Sequence, residues 1–498
     1  MHYRITLTFC LSLILLIIGF QSIAQTNRYW AQNFNAEASL MGGAVVGGRA
    51  GNTAIFYNPA LISDVGTAKL SINANLVALD FYSATNFLGT NLSLSLSNFI
   101  LQPRFISFLV KSKNDKVKIE IASFTRDQSE FDVLDGVRRE AEVFEILPGN
   151  ELYNGTVENI NHYKDLWFGG GASYKLSDRF TIGASGFLSV KSLKEKFLVD
   201  VNASLKNDTV YVEDIAVASF NSSFRQLERI KLNNYRFVGK LGMQYQMDNW
   251  GLGLNLTLPS INLAGKGEVL REISYTNIPD STGQAFIPDF LISDWQTKLP
   301  ADYKDPFSLA LGFNYTAPNG KTFLSASIEY FAKIAPYKMI TAEVNENITT
   351  EENYERLTNK EFLSIVNGAN AITNIAIGLE KEISEEMVIL GGVRTDFNFR
   401  KDFDFKEFSD FRNQQGIEYD VYHLTGGAKF NIKASNIILG IQYSISREKD
   451  LKQLVDLGTP SEGTDPPLQG TIDNDVKFAY NGVGIFFGFN LNFGGEKN

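Results

Sequence analysis

From about Gly66 to Phe493 the chain repeats one theme: short runs in which apolar side chains alternate with small or polar ones. A period of two with one polar face is the mark of a half-exposed strand. Leu70, Ile72, Ala74, Leu76 and Ala78 alternate with Ser71, Asn73, Asn75 and Val77 in a first strand predicted over 67–85. The closing strand, 477–493, sets Val483, Ile485, Phe487, Phe489, Leu491 and Phe493 against Gly482, Gly484, Gly488, Asn490 and Asn492, interrupted only by Phe486. Leu252, Leu254, Leu256 and Leu258 repeat the code against Gly251, Gly253, Asn255 and Thr257, as do Ile437, Leu439, Ile441, Tyr443 and Ile445 against Gly440, Gln442, Ser444 and Ser446.

Between the first and last strands the pattern predicts hairpins over 105–125, 167–190, 235–258, 307–331, 373–397 and 422–446. Their turns, such as Ser112-Lys113-Asn114-Asp115 and Ala317-Pro318-Asn319-Gly320, hold the residue types that tight connections require. One opening strand, six hairpins and one closing strand predict fourteen strands, an even number as in single-chain bacterial barrels. Short connections inside the hairpins alternate with long ones between them, such as 259–306, as expected of the two sides of an outer membrane. A soluble β-sandwich also alternates, but its strands are usually about five or six residues long. Several aromatics at strand ends, Trp167, Phe168, Tyr174, Tyr315 and Tyr330, are expected to form interfacial girdles. Closing the sheet removes the edges that a chain in lipid cannot leave unpaired. The fold expected is all-β: a transmembrane antiparallel barrel of about fourteen strands.

One stretch stands apart. Leu40 to Leu61, LMGGAVVGGRAGNTAIFYNPAL, is dense in Gly and Ala, and Arg49 is its only charge. Gly tolerates positive φ, and Pro59 biases Asn58 away from helix, so the segment can turn sharply and approach other backbones closely. It is expected to fold as a compact insert. A short Gly/Ala-rich segment ending in Phe/Tyr-Asn-Pro-Ala before a long barrel resembles the outer-membrane long-chain fatty-acid transporter family (FadL-type). Gly42, Gly43, Phe56, Tyr57, Asn58, Pro59 and Ala60 carry the likeness, although Leu61 stands where many members have Gly. The resemblance implies that residues 25–66 form an arm and a hatch inside a fourteen-stranded barrel spanning 67–493. The same residues are implied as the hatch motif, with a structural role.

Arg4, an apolar run from Leu7 to Phe20 and Ser22-Ile23-Ala24 read as a signal peptide over 1–24, cut before Gln25. The single cysteine, Cys10, lies in that run, so the exported chain is expected to have no disulfide and no Cys-ligated metal. The hydrophobic fraction is 44% and no later apolar run approaches the ~20 residues of a membrane helix, which a barrel does not need. The net charge of −10 becomes −11 when Arg4 leaves with the leader; with an acidic balance and no Lys/Arg cluster, nucleic acid is not an expected partner. The polar tail 494–498 is read as a periplasmic extension beyond Phe493, which would otherwise end the signal for the barrel-assembly machinery.

Enzyme chemistry finds little support. His423 falls on the polar face of a strand and His162 in an expected loop, neither beside a nucleophile motif. No helix pattern follows the runs GRAG at 48–51 or WFGGGAS at 167–173, so neither reads as a phosphate loop, and no cofactor is expected. The lumen of about fourteen strands exceeds what side chains fill, so a plugged, gated path is expected. The resemblance implies uptake of a hydrophobic small molecule across the outer membrane of a Gram-negative-type bacterium, with outer-membrane lipid around the wall. Apolar loops at 278–291 and 362–371 would capture the ligand, which would bind in a greasy lumen pocket. The alternative is a barrel scaffold of the same fold serving secretion or surface attachment, for which a polar, crowded lumen would speak.

Overall fold

Alternation does build strands, and they are longer than the pattern suggested. In the computed structural model, residues 27–30, 34–65, 70–110, 112–145, 147–207, 209–212, 215–218, 220–279, 285–344, 360–408, 412–413, 416–432 and 435–491 are described. The expected leader, the tail 494–498 and Phe493 lie outside the described residues, as do the side chains of 70–77. In chain order the strands are β1 (Leu70–Thr85), β2 (Leu94–Val110), β3 (Val117–Ala141), β4 (Glu151–Lys175), β5 (Phe180–Ser204), β6 (Thr209–Val212), β7 (Ile215–Ala218), β8 (Asn221–Gln246), β9 (Trp250–Thr257), β10 (Ile261–Thr276), β11 (Phe290–Pro300), β12 (Ser308–Thr316), β13 (Thr322–Phe331), β14 (Ile334–Ile340), β15 (Ile365–Ala369), β16 (Ile372–Ser384), β17 (Met387–Asp396), β18 (Arg412–Asn413), β19 (Val421–Ile432), β20 (Ser435–Leu451) and β21 (Val476–Leu491).

The main sheet has sixteen strands, two more than expected. Around the ring they run β1-β2-β3-β4-β5-β8-β9-β12-β13-β16-β17-β19-β20-β21 and back to β1, all antiparallel. The two extra strands come from 259–306, read from sequence as a loop. Residues 240–246 of β8 pair with β9, the ladder breaks at 258–260, and β10 resumes beside the upper part of β8, with β11 added outside it. Their outward face mixes charged residues such as Lys266 and Glu268 with apolar ones such as Ile261, Leu291 and Trp295, so the regular lipid-facing alternation is lost there.

The outward positions carry the apolar residues that the closing pattern assigned to lipid. Ile441 is 61% exposed and Phe487 51%, while Gln442, Ser444 and Gly488 point inward and are buried. A contiguous apolar belt of this size on a closed antiparallel ring is what a bilayer covers. Phe168, Tyr174 and Tyr330 are outward aromatics, but Trp167 points into the lumen. Parity decides this: Trp167 shares the face of Ser173, and Phe168 the other.

The wall is uneven. Strands β3, β4 and β5 have 25 residues and β8 has 26, where about ten suffice to cross lipid. With β10 and β11 they rise as a tall wall on the side of the long connections. Its inner face is packed from within: Leu193, Ile230, Leu232, Val269 and Ile292 meet Met339, Ile340, Phe362 and Ile365. The stretch 362–371, expected as an exposed capture loop, is therefore mostly buried strand, and Ile278 of the other expected loop is buried too. A second cluster at the same end joins Phe131, Val133, Phe144 and Tyr153 to Val455, Leu457 and Leu468 of the segment between β20 and β21. There the buried Glu151 carboxylate accepts the Val143 N–H at 2.8 Å; burial pushes it up and the backbone N–H groups hold it down.

Phe144 is fully buried beside Phe220. Phe144→Ala removes about 3–5 kcal/mol of local packing. Tryptic cleavage at the exposed Arg138 and Arg139 should rise several-fold while heat-modifiable migration of the barrel stays unchanged; unaltered cleavage would show that the cluster does not hold this end.

Candidate functional site

The Gly/Ala-rich segment folds into single helical turns, not strands. Asn35 caps the helix Ala36–Leu40, its side chain accepting the N–H groups of Glu37 at 2.7 Å and Ala38 at 3.1 Å. Gly42 and Gly43, with φ of 67° and 79°, reverse the chain after it, and the Gly43 N–H returns to the Ala38 carbonyl at 2.8 Å. Helical turns at Gly51–Thr53 and Ala54–Tyr57 do follow the GRAG run, contrary to expectation, but one turn is too short to hold an anion. Asn58 is extended, and Pro59 starts the next turn, Pro59–Asp64.

Asn58 is the joint of this segment. Its amide donates to the Val46 carbonyl at 2.9 Å and to the Met243 carbonyl of β8 at 3.0 Å, and its oxygen accepts the Ala60 N–H at 3.1 Å. One fully buried side chain thus ties both halves of the segment to the wall. Phe56 and Tyr57 meet edge to face at 5.3 Å, and Ala60 is fully buried.

The segment sits inside the ring, on inward-facing glycines. Gly253 of β9 and Gly312 of β12 lie directly against the backbone of Val46 and Gly47; a Cβ at either would collide with it. Gly183 and Gly242 meet Pro59 and Ala60, Gly378 and Gly392 meet Met41, and Gly427 and Gly440 meet Leu40. On the side of β2 to β5 the seat is aromatic instead. Phe34 packs on Phe56 at 4.8 Å and on Phe124 at 5.0 Å, and Trp167 on Phe187 at 5.4 Å. Above this floor the N-terminal arm crosses the lumen. Tyr29 stacks between Phe331 and Phe399 at 4.4 and 4.5 Å, Arg28 pairs with Asp396 at 3.4 Å, and the Trp30 indole donates to Glu329 at 2.6 Å.

The lumen above the segment is charged, which corrects the expectation of a greasy pocket. Arg236 reaches Asp165 at 2.9 Å and Asp305 at 2.6 Å, Ser189 donates to Asp165 at 2.6 Å, and the Lys191 ammonium stands 3.1 Å above the Tyr303 ring. Asp165, Lys191, Tyr303 and Asp305, with Tyr29, Phe56, Lys240 and Glu329, line a cavity of about 60 Å³. An apolar cavity of about 150 Å³ holds benzene. At this level the inward positions of the tall strands are polar, Asp165, Ser189, Lys191 and Arg236, while the apolar inward residues nearer the long connections are already packed against other segments. His423 lies in this polar interior, its Nδ1 2.7 Å from Ser444 Oγ; His162 belongs to β4, not a loop, and meets Asp132 at 2.7 Å.

Among the described residues the ladder between β2 and β3 is incomplete and forms a seam. β2 runs from Leu94, yet its ladder to β3 covers only Phe105–Val110 against Ile119–Phe124. Beyond Phe124, β3 carries a bulge between Thr125 and Asp127 in its ladder to β4. Arg126, at the bulge, donates to the Tyr29 carbonyl at 2.7 Å and lies 5.5 Å from the Phe56 ring. The arm, the aromatic seat and the seam therefore meet at one residue. No sequence signal marked it, since register across strands is not written in a single strand.

Solved structures share this architecture along nearly its whole length. The toluene transporter TodX of Pseudomonas putida aligns at TM-score 0.53 and 13% identity, over 95% of this chain and 100% of its own. A FadL homologue of Pseudomonas aeruginosa aligns at 0.51 and 14%, over 96% and 100%. The monoaromatic hydrocarbon channel CymD aligns at 0.50 and 10%, over 92% and 98%. The fold is that of FadL-type outer-membrane channels. No family model matches the sequence, and no curated protein matches it.

Two substitutions probe the seat. Asn58→Ala strands two carbonyls and one N–H, a loss of about 2–4 kcal/mol, and Gly312→Leu forces the Val46–Gly47 backbone off β12. Both should make Arg49 several-fold more sensitive to trypsin with the barrel intact by heat-modifiable migration. Unchanged cleavage would mean that the segment is held elsewhere.

Proposed function

We propose that the chain is an outer-membrane channel for hydrophobic small molecules, with residues 40–61 as its hatch and lateral release into the bilayer. The observation that carries this reading is the seam between β2 and β3, backed by the Phe34, Phe56, Phe124 and Trp167 rings. An apolar solute at those rings is beside the seam, at the edge of the charged cavity that Phe56 and Trp167 also line. Its transfer gains about 25 cal/mol per Å² of apolar surface, so selectivity is broad. The neighbours named for toluene, monoaromatic hydrocarbon and FadL-type transport share this fold, which favours a ligand of that class.

In the closed form the cavity of about 60 Å³ admits no such ligand. Entry therefore requires the arm to move, and Tyr29 is its latch through Arg126, Phe331 and Phe399. The motif residues Gly42, Gly43, Phe56, Tyr57, Asn58, Pro59 and Ala60 hold the hatch and do not contact ligand directly, apart from Phe56. A leader over 1–24 and assembly by the barrel machinery belong to the same reading. The crowded, charged lumen favours a second reading, the scaffold for secretion or attachment.

Deleting Arg126 removes the bulge and regularises β3, whereas Arg126→Gln keeps the bulge and frees the arm. Uptake of toluene and of a long-chain fatty acid by cells carrying the protein should fall at least tenfold in the deletion and not in Arg126→Gln. Equal uptake in all three would overturn lateral release. No uptake or saturable binding by the wild type would favour the scaffold.

A further inference from the structure

The register of the tall wall assembles a basic patch that the linear sequence scatters. On β5 and β8, Lys194 stands opposite Lys231 and Lys196 opposite Arg229. Their neighbours Leu193, Glu195, Ile230 and Leu232 are buried, so the four cations share the outer face. Lys164 on β4 and Lys266 on β10 flank them and are exposed. Like charges directly opposite on a sheet repel. Glu158 meets Lys196 at 2.5 Å and Glu268 meets Lys231 at 2.9 Å, but Lys164, Lys194, Arg229 and Lys266 make no ion pair with a described carboxylate. In a chain of net charge −10 this concentration is no background effect.

Its height is defined. Down the outer face of β8 come Tyr235, Phe237, Leu241, Met243 and Tyr245, all exposed and apolar or aromatic. Lys231 lies four residues above Tyr235, about 10 Å along the membrane normal for a strand tilted near 40°. On β5 the same step leads from Leu188 and Val190 to Lys194, and on β4 from Phe168 and Leu166 to Lys164. The cations thus form a row just beyond the apolar belt, on the side of the long connections, which is the exterior. Long basic side chains there can reach back to the interface.

We propose that this patch holds the phosphates of the phosphorylated glycolipid of the outer leaflet, the lipid A part of lipopolysaccharide. Lys194 and Arg229 are its unpaired centre. Leu188, Tyr235 and Phe237 beneath them offer the acyl chains an apolar surface. The inference rests on the outer-membrane reading above.

The test is binding of bisphosphorylated and of dephosphorylated lipid A to the full-length protein in detergent, followed by native mass spectrometry. Wild type should prefer the bisphosphorylated form at least tenfold, with the preference shrinking as salt rises. Lys194→Gln with Arg229→Gln should lose most of it, and Lys321→Gln, on a short turn at the opposite end, should keep it. Equal binding of the two lipids, a preference retained by the double variant, or full displacement by inorganic phosphate overturns the proposal. Fractionation separates the two failures: a protein absent from the outer membrane defeats the outer-membrane reading, and one present there without lipid preference defeats only this inference.

Discussion

A ring of fourteen strands leaves a space that side chains alone do not fill, and everything else in this molecule answers to how that space is filled. Here the filler is backbone laid on backbone. Val46 and Gly47 rest on Gly253 and Gly312 with no side chain between, and Asn58 links the Val46 carbonyl to that of Met243. Contact at this distance demands glycine on the wall and fixes the register of the segment against it. A barrel side chain at Gly312 and a plug there are mutually exclusive.

The charged lumen follows from the same constraint. Inward side chains above the plug are cut off from bulk water, so each charge needs a partner. Arg236 finds Asp165 and Asp305, and Arg28 finds Asp396. Such pairs set the geometry more than they add stability, because desolvation offsets most of their attraction. Aromatic surface remains along β2 to β5, beside the incomplete ladder between β2 and β3, and around Tyr29, Phe331 and Phe399.

Much of this was legible in the residues. The alternation of Leu252, Leu254 and Leu256 with Gly253 and Asn255 predicted both the strand and its two faces, and the Asn58-Pro59-Ala60 turn predicted a compact insert. Sequence reading failed where its contrast vanishes. Above the membrane the outward residues of β8 and β10, such as Arg229, Lys231 and Glu268, are as polar as inward ones such as Asn234 and Arg236. The alternation of apolar outward residues that marks the lipid belt is missing there, and 259–306 read as loop. The basic patch and the role of Arg126 depend on pairing between strands far apart in sequence, which one strand cannot announce. Trp167 was misplaced for a simpler reason: its parity with Ser173 was outweighed by the habit of aromatics to gather at interfaces.

The central claim is that residues 40–61 close the barrel. Its most direct test is ion conductance in planar bilayers of the wild type beside a variant lacking 40–61, each verified by heat-modifiable migration. The account predicts a wild type almost closed to ions and a deletion that conducts at least tenfold more, as an open ring of this size should. A wild type that already conducts like the deletion, or a folded deletion that stays closed, would contradict it.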